Sequence, residues 1–129
     1  MPHFHIEYTK NLTDTLDVAA FCEALRRKAA SINTFPMPGI RVRAMCVEHY
    51  AIADGDPKHS FIDITIRLRE GRDDQTKAEA AKQIFDAARA FLAPVIATRS
   101  IALSLEMRDI DATLSPKCSS IRDHLKAGK

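Results

Sequence analysis

Several residue types are scarce or absent, and each shortage argues against a class of protein. There is no tryptophan, there are only four glycines, and no segment is compositionally repetitive, so disorder is not expected. The most apolar stretch, 91–97, is seven residues with a proline inside, far short of the ~20 needed to cross a bilayer. The three cysteines are widely spaced and form no CxxC pair, which disfavours zinc sites and disulfide frameworks.

The sequence also has little excess of one sign of charge over the other. Nineteen Lys and Arg against seventeen Asp and Glu leave a net charge of +2, whereas a general nucleic-acid binder usually has a strong basic excess. The first ten residues contain no apolar run of the kind that a secretory signal peptide needs. We therefore expect a cytoplasmic protein with no nucleic-acid or membrane partner, in which a few clustered arginines still suffice to bind a small anion.

The composition that is present is that of an ordinary globular chain. Its 129 residues are 46% hydrophobic and 28% charged, which predicts one domain over 1–129. Apolar and polar residues alternate over 3–8, and again over 40–46 after a loop rich in Pro and Gly, so both segments are predicted strands. A helix is predicted between them, with one apolar face made of Val18, Phe21, Cys22, Leu25 and Ala29.

The second half repeats this order. Strands are predicted around 62–67 and 101–107. The helix between them has an apolar face with the same spacing as the first helix, made of Ala81, Ile84, Phe85, Ala88 and Leu92. We interpret the chain as two fused β-α-β units, about 2–57 and 58–115, followed by a C-terminal tail.

Two such units predict an α+β fold. A right-handed crossover makes the two strands of each unit parallel, and joining the units gives a four-stranded mixed sheet with both helices on one face. The uncovered face is expected to combine apolar residues with Arg and His, and the tail is too short to cover it. We therefore expect this face to contact other copies of the chain in a homo-oligomer.

Pro2 is the first candidate for chemistry. The initiator methionine is normally removed before a small residue, and the chain would then begin with a prolyl secondary amine. Such an amine is a base, whereas a proline inside a chain is an amide with no usable lone pair. Partial burial and nearby cations lower the pKa of an α-amino group from its ordinary ~7.7–8.0, which suits a general base at neutral pH. Many chains begin Met-Pro without using the proline, so Pro2 alone does not establish catalysis.

Arg41 and Arg72 are the next candidates, although each taken alone is equally well explained as a surface arginine with no functional role. Both lie beside turns that contain Gly, where a guanidinium is well placed to bind a carboxylate through two hydrogen bonds. The position equivalent to Arg41 in the second half is Ala102, and the first half has TKNL where the second has REGR. Each half thus supplies one arginine, and only the first supplies a terminal amine, which is enough for one composite site per chain.

In these segments the sequence resembles the tautomerase superfamily, whose members use an amino-terminal proline on a β-α-β scaffold. The segment ITIRLREGRDDQTKAEAAKQIFDAAR is similar to the start of a 4-oxalocrotonate tautomerase chain, and GIRVRAMCVE to that family's second strand. The opening PHFHIEY, the segments FPMPGIRVR and ADGDPKHSF and the duplicated length resemble the 5-carboxymethyl-2-hydroxymuconate Δ-isomerases in particular. The resemblance covers about residues 2–115.

The resemblance implies an isomerase that forms a homotrimer and uses no metal and no organic cofactor. It implies that Pro2 transfers the proton and that Arg41 and Arg72 bind carboxylates or stabilise an enolate. It further implies an apolar wall near the proline nitrogen, for which Tyr50 and Ile52 are the candidates. The implied substrate is an unsaturated tricarboxylate dienol of homoprotocatechuate (4-hydroxyphenylacetate) degradation, which is converted to its 2-oxo isomer.

Two other functions remain open at this point. Another enzyme of the superfamily, either a general keto–enol tautomerase or a dehalogenase, would use the same scaffold. A dehalogenase needs a carboxylate that activates water, and Glu7 and Glu106 are possibilities that no motif singles out. A non-catalytic trimeric module would keep the fold and lose the chemistry.

Overall fold

The elements follow the predicted order in the computed structural model, which describes residues 1–125. Three short 3-10 turns accompany the main elements, at 10–12, 37–39 and 121–124. The main elements are strand β1 (His3–Thr9), helix α1 (Val18–Ala30), strand β2 (Arg41–Val47), strand β3 (His59–Arg69), helix α2 (Asp74–Thr98) and strand β4 (Ser100–Ile110).

The four strands form one mixed sheet in the order β2-β1-β3-β4, which confirms the predicted fold class. β1 pairs with β2, and β3 with β4, in parallel, while β1 and β3 pair antiparallel at the centre. Because of this central pairing, the start of β1 lies at the same end of the sheet as the end of β3. We call this end the Pro2 end, and we call the opposite end, where β3 and β4 begin, the His59 end.

Both helices begin in the same way. The Asp17 carboxylate accepts a hydrogen bond from the Ala20 N–H at 3.0 Å, and the Asp73 carboxylate accepts one from the Thr76 N–H at 2.7 Å. Each bond satisfies a backbone donor that the first helical turn leaves free. The second cap fixes where α2 starts, directly after the turn that carries Arg72.

The core lies between the sheet and the two helices. The helix-facing side chains of β1 and β3, such as Phe4, Ile6 and Ile64, are fully or almost fully buried. The buried faces of the helices repeat at a constant offset of 63 residues, which pairs 21 with 84, 25 with 88 and 29 with 92. One detail of the prediction is wrong: Ala80 is buried on α2 while Ala81 and Phe85 are half-buried, because the side chains that pack on the sheet follow a row of every fourth residue along the helix.

The face of the sheet that points away from the helices is more polar than predicted. Carboxylates such as Glu7, Asp63 and Glu106 alternate there with His and Arg, and the large apolar residue Met45 is 51% exposed. Side-chain alternation accounts for this, since nearly all apolar positions of each strand fall on the helix side. Within residues 1–125, no helix is both long and apolar enough to span a membrane.

Candidate active site

Pro2 is buried at the start of β1, against the turn that leads into β2. Its carbonyl oxygen accepts a hydrogen bond from the Arg41 N–H at 3.1 Å. A Cβ placed on Gly39 would lie 3.2 Å from Cδ of the Pro2 ring, so a glycine lets this turn pack closely on the proline. Gly39 is therefore part of the site. Sequence reasoning marked it only as a loop residue, although its place in a Pro-Gly turn directly before Arg41 was the available signal.

Arg41 and Arg72, which come from different halves of the chain, lie at this same end. The Arg72 guanidinium donates from Nε to the Thr34 carbonyl oxygen at 3.1 Å and from Nη1 to the Arg69 carbonyl oxygen at 3.2 Å. Arg41 donates from Nη1 to the Gly39 carbonyl oxygen at 3.1 Å. Backbone carbonyls thus orient both guanidinium groups and leave further N–H donors of each for a ligand.

The electrostatics of the amino terminus reflect this gathering of cations. Partial burial, followed by the positive charges of Lys117, Arg72, Arg41 and Arg69, lowers the pKa of the Met1 amino group. All of these influences disfavour the charged ammonium form. The Pro2 nitrogen lies one peptide unit from this amine, so the same cations surround it.

Two cavities adjoin Met1. The first, of about 330 Å³, is bordered by β1, β3, the end of β4 and the tail, and the second, of about 420 Å³, lies between the loop at 36–39 and the tail. Met1 and Lys117 are the two residues that border both. Met1, which directly precedes Pro2, therefore lies where the two cavities adjoin.

Among the described residues, the cations nearest Met1 form no salt bridge, although Lys77 at this same end pairs with Asp109. Within residues 1–125, none of Arg41, Arg67, Arg69, Arg72 and Lys117 forms a salt bridge. Elsewhere cations find carboxylates, as on α1 and α2, where i,i+3 and i,i+4 pairs close to 2.6 and 2.7 Å. Asp123 is the one carboxylate that borders either cavity in the described part of the chain. An end with this balance attracts a ligand that carries several negative charges.

His3 borders the first cavity but adds no charge to it. Burial, followed by the positive charges of Arg67, Arg43 and Arg41 and of the amino terminus, lowers the pKa of His3 to about 4. Its Nδ1 lies 3.4 Å from both Nη atoms of Arg43. The neutral ring thus serves as a hydrogen-bond acceptor for Arg43, a role that strand alternation alone does not predict.

Tyr50 and Ile52 lie at the opposite end, so within residues 1–125 of one chain they do not form the predicted wall beside Pro2. Both line a cavity of about 980 Å³ at the His59 end, and the Tyr50 hydroxyl accepts a hydrogen bond from the Asn11 N–H at 3.3 Å. The segment after β2 closes this end, and the segment after β4 closes the Pro2 end. The first Met1 cavity is accordingly lined by the apolar residues Ile110, Ala112 and Pro116.

Neither carboxylate considered for a dehalogenase lies at the Met1 cavities. Glu106 accepts a hydrogen bond from Arg108 Nη2 at 2.9 Å on the outer face of β4. Glu7 pairs in register with Met45 and Asp63, toward the far end of β1. Among residues 1–125 there is also no group of three or more His, Cys, Asp or Glu side chains placed to hold a metal ion.

Comparison with known proteins gives a consistent family. A family model described as 5-carboxymethyl-2-hydroxymuconate isomerase matches residues 2–125. The 5-carboxymethyl-2-hydroxymuconate Delta-isomerase of Escherichia coli is 26% identical over 121 residues, which span 94% of this chain and 96% of that protein.

Solved structures give the same result. A 5-carboxymethyl-2-hydroxymuconate delta-isomerase superposes with a TM-score of 0.90 at 29% identity, covering 100% of this chain and 95% of that one. A 5-carboxymethyl-2-hydroxymuconate isomerase from Deinococcus radiodurans R1 gives 0.88 at 27%, covering 95% and 92%. A fused 4-OT, solved as a symmetric trimer, gives 0.63 at 21%, covering 84% and 87%, and shares the fold.

Proposed function

The chain belongs to the 5-carboxymethyl-2-hydroxymuconate isomerase family and is an isomerase with the tautomerase fold; from this premise we propose that it converts 5-carboxymethyl-2-hydroxymuconate to its 2-oxo isomer through the nitrogen of Pro2. The observation that carries the proposal is the group of unpaired cations around the amino terminus. The proposed substrate has three carboxylates, and such a ligand supplies counter-charges for the cations nearest Met1.

The proposed reaction begins once Met1 has been removed. The Pro2 nitrogen is then a secondary amine that faces the space that Met1 occupied. Neutral Pro2 accepts the proton of the 2-hydroxyl group, which leaves a conjugated dienolate, and the resulting prolinium returns a proton to carbon 5. The C2–O bond becomes a carbonyl, one double bond remains between carbons 3 and 4, and no atom is gained or lost.

The arginines have two tasks in this mechanism. One stabilises the negative charge that develops on the oxygen at carbon 2, and the others bind carboxylates and hold the diene over the amine. Arg41 and Arg72 are the candidates for both tasks. Because their charges also lower the pKa of the terminal amine, the groups that bind the substrate raise the fraction of neutral base at pH 7.

The oligomeric state that we propose is a homotrimer. The outer face of the sheet carries charged residues of both signs on neighbouring strands, including Glu7, Arg43 and Glu106, a pattern that favours pairing between copies. The fused 4-OT that shares this fold is a symmetric trimer. Light scattering in dilute solution should give about three times the chain mass of 14.4 kDa, and a clean monomer would contradict the trimer.

The activity is tested with protein whose loss of Met1 has been verified by intact mass. Ultraviolet absorbance follows the loss of the dienol, with 5-carboxymethyl-2-hydroxymuconate compared against phenylenolpyruvate, which has one carboxylate. We expect kcat/KM at least about 100-fold higher for the tricarboxylate, because each charged hydrogen bond contributes about 1.5–3 kcal/mol. Equal values for the two compounds would favour a general keto–enol tautomerase, and no turnover of either would favour the non-catalytic module.

A further inference from the structure

The tail, residues 111–125, is anchored where it crosses the Pro2 end. The Ala112 N–H donates to Glu70 Oε2 at 2.6 Å, and the Ser115 hydroxyl donates to the Asp111 carbonyl oxygen at 2.6 Å. Glu70 belongs to the turn that carries Arg72, so the first bond ties the tail to the site. From this anchor the tail continues over Met1 and borders both of its cavities.

Lys117 is the tail residue at the junction of these cavities. Arg67 and Arg69 border the first cavity, and Arg122 borders the second, but Lys117 borders both. A ligand that fills both cavities therefore lies next to Lys117 in either of its two orientations. Within residues 1–125, the Lys117 ammonium makes no hydrogen bond to another side chain and no salt bridge, so all three of its donors are available.

Arg41 and Arg72 have used part of their donors and border neither Met1 cavity. Arg72 uses Nε and Nη1 on backbone carbonyls, which leaves three of its five N–H groups, and Arg41 uses Nη1, which leaves four. The cations that line the cavities, and so are available to a further carboxylate, are Arg67, Arg69, Arg122 and Lys117. A third carboxylate, at the end of a flexible carboxymethyl arm, fits the compact and rotatable charge of a lysine better than a fixed guanidinium fork.

We infer that Lys117 binds the carboxymethyl carboxylate of the substrate and so sets the preference for a tricarboxylate over a dicarboxylate dienol. This assignment rests on the proposed function. The charge of Lys117 also reaches the terminal amine, where it ranks after burial and ahead of the arginines in lowering the pKa of that group.

The test compares two substrates in protein that has lost Met1. One is 5-carboxymethyl-2-hydroxymuconate and the other is 2-hydroxymuconate, which lacks the carboxymethyl arm. Lys117→Ala should lower kcat/KM for the first about 10- to 100-fold and change that for the second less than about threefold. Lys117→Arg should retain most of the preference because it keeps the charge.

Lys58→Ala is the matched control. Lys58 lies on the segment that closes the His59 end, with its Nζ 4.0 Å from Asp56, and it borders neither Met1 cavity. The values are compared on the high-pH plateau, since the loss of the Lys117 charge also raises the pKa of the amine. That upward shift in pKa should be seen with both substrates. Lys58→Ala should change neither the pKa nor the preference for the tricarboxylate.

The outcomes separate the two proposals. If wild-type protein turns over the tricarboxylate and Lys117→Ala keeps its full preference, or loses activity equally on both substrates, the assignment of Lys117 is overturned while the proposed function stands. If wild-type protein of verified mass turns over neither dienol, the proposed function is overturned and the assignment of Lys117 with it.

Discussion

The two ends of the sheet are built from equivalent pieces and differ in how their polar groups are satisfied. At the His59 end, His59 bonds through Nε2 to Asp54 and through Nδ1 to the Ser100 hydroxyl, each at 2.7 Å. Arg99 donates from Nη2 to the Asn11 carbonyl oxygen at 2.7 Å. At the Pro2 end, the cations nearest Met1 form no salt bridge within residues 1–125, although Lys77 pairs there with Asp109. His59 and Arg99 are thus satisfied within the chain, whereas the cations nearest Met1 keep hydrogen-bond donors for a ligand.

The difference also extends to the backbone. Pro2 stands next to the amino terminus, so removal of one residue converts its nitrogen from an amide to an amine. Ser60, which occupies the equivalent place at the start of β3, lies inside the chain and never gains an amine. On the proposed function, the scaffold therefore offers one site for proton transfer per chain.

Blocking the Pro2 nitrogen should have the largest effect. Protein that retains Met1, or that carries an added residue before Pro2, has an amide at this position, and an amide does not accept the proton. We expect kcat to fall by about 10²–10⁴ or more. The arginines remain, so calorimetry should still detect binding of a tricarboxylate product analogue. Full activity in mass-verified, Met1-retaining protein would contradict the claim that a free Pro2 amine distinguishes the Pro2 end from the His59 end.

Arginine substitutions should come next. Arg41→Ala and Arg72→Ala should each remove about 2–4 kcal/mol of transition-state stabilisation, measured as kcat/KM for the tricarboxylate. Arg99→Ala is the matched control, since Arg99, like Arg72, makes one bond to a carbonyl oxygen from another part of the chain. It should lower the thermal midpoint as Arg72→Ala does and leave kcat/KM within about twofold. A similar loss of kcat/KM in all three variants would mean that the arginines act through stability.

The apolar wall gives a smaller contrast. Ile110→Ala removes part of the surface beside Met1 and should lower kcat/KM by about three- to tenfold, the cost of one to two buried methylene groups. Ile52→Ala makes the same change at the other end and should alter kcat/KM less than about twofold. The reverse order would restore Tyr50 and Ile52 as the wall and would require them to reach Pro2 from another copy of the chain.

The smallest effect on turnover is expected at His59. His59→Ala loses the hydrogen bonds to Asp54 and Ser100 and should lower the free energy of unfolding by about 1 kcal/mol, read from urea denaturation. Turnover should remain within about twofold of wild type. A loss of kcat/KM with unchanged stability would show that the His59 end takes part in the chemistry.

The fold was predictable because both units carry the same local signals. Alternating apolar and polar residues over 3–8 and 62–67 predicted two of the strands. The repeated apolar faces predicted how α1 and α2 pack on the sheet. Pro2, Arg41 and Arg72 remain predictions for the site: the sequence indicates them because each half lacks what the other supplies, and the structure places all three at one end of the sheet. These signals come from residues close together in the sequence, so a single sequence is enough to recognise them.

The features that the sequence did not predict depend on which strands pair with each other. The antiparallel pairing of β1 with β3 decides which closing segment faces Pro2, and local pattern does not encode that choice. Within one chain, Tyr50 and Ile52 therefore lie at the opposite end from Pro2, and local pattern did not indicate that Ile110 lies beside Met1. The position of Lys117, which we propose as a binding residue, was not predicted for a related reason, since the tail has no apolar periodicity to place it.

The most direct test of the central claim is a titration of the Pro2 nitrogen itself. Nitrogen-15 NMR of protein labelled at proline gives the pKa of the amine, and the pH profile of kcat/KM gives the pKa of the essential base. The neutral amine is the active form, so activity should rise with pH through this ionisation and then level off. We predict one shared pKa below the ordinary α-amino range of ~7.7–8.0. A Pro2 pKa within or above that range, or a kinetic pKa that differs from it, would contradict the assignment of Pro2 as the base.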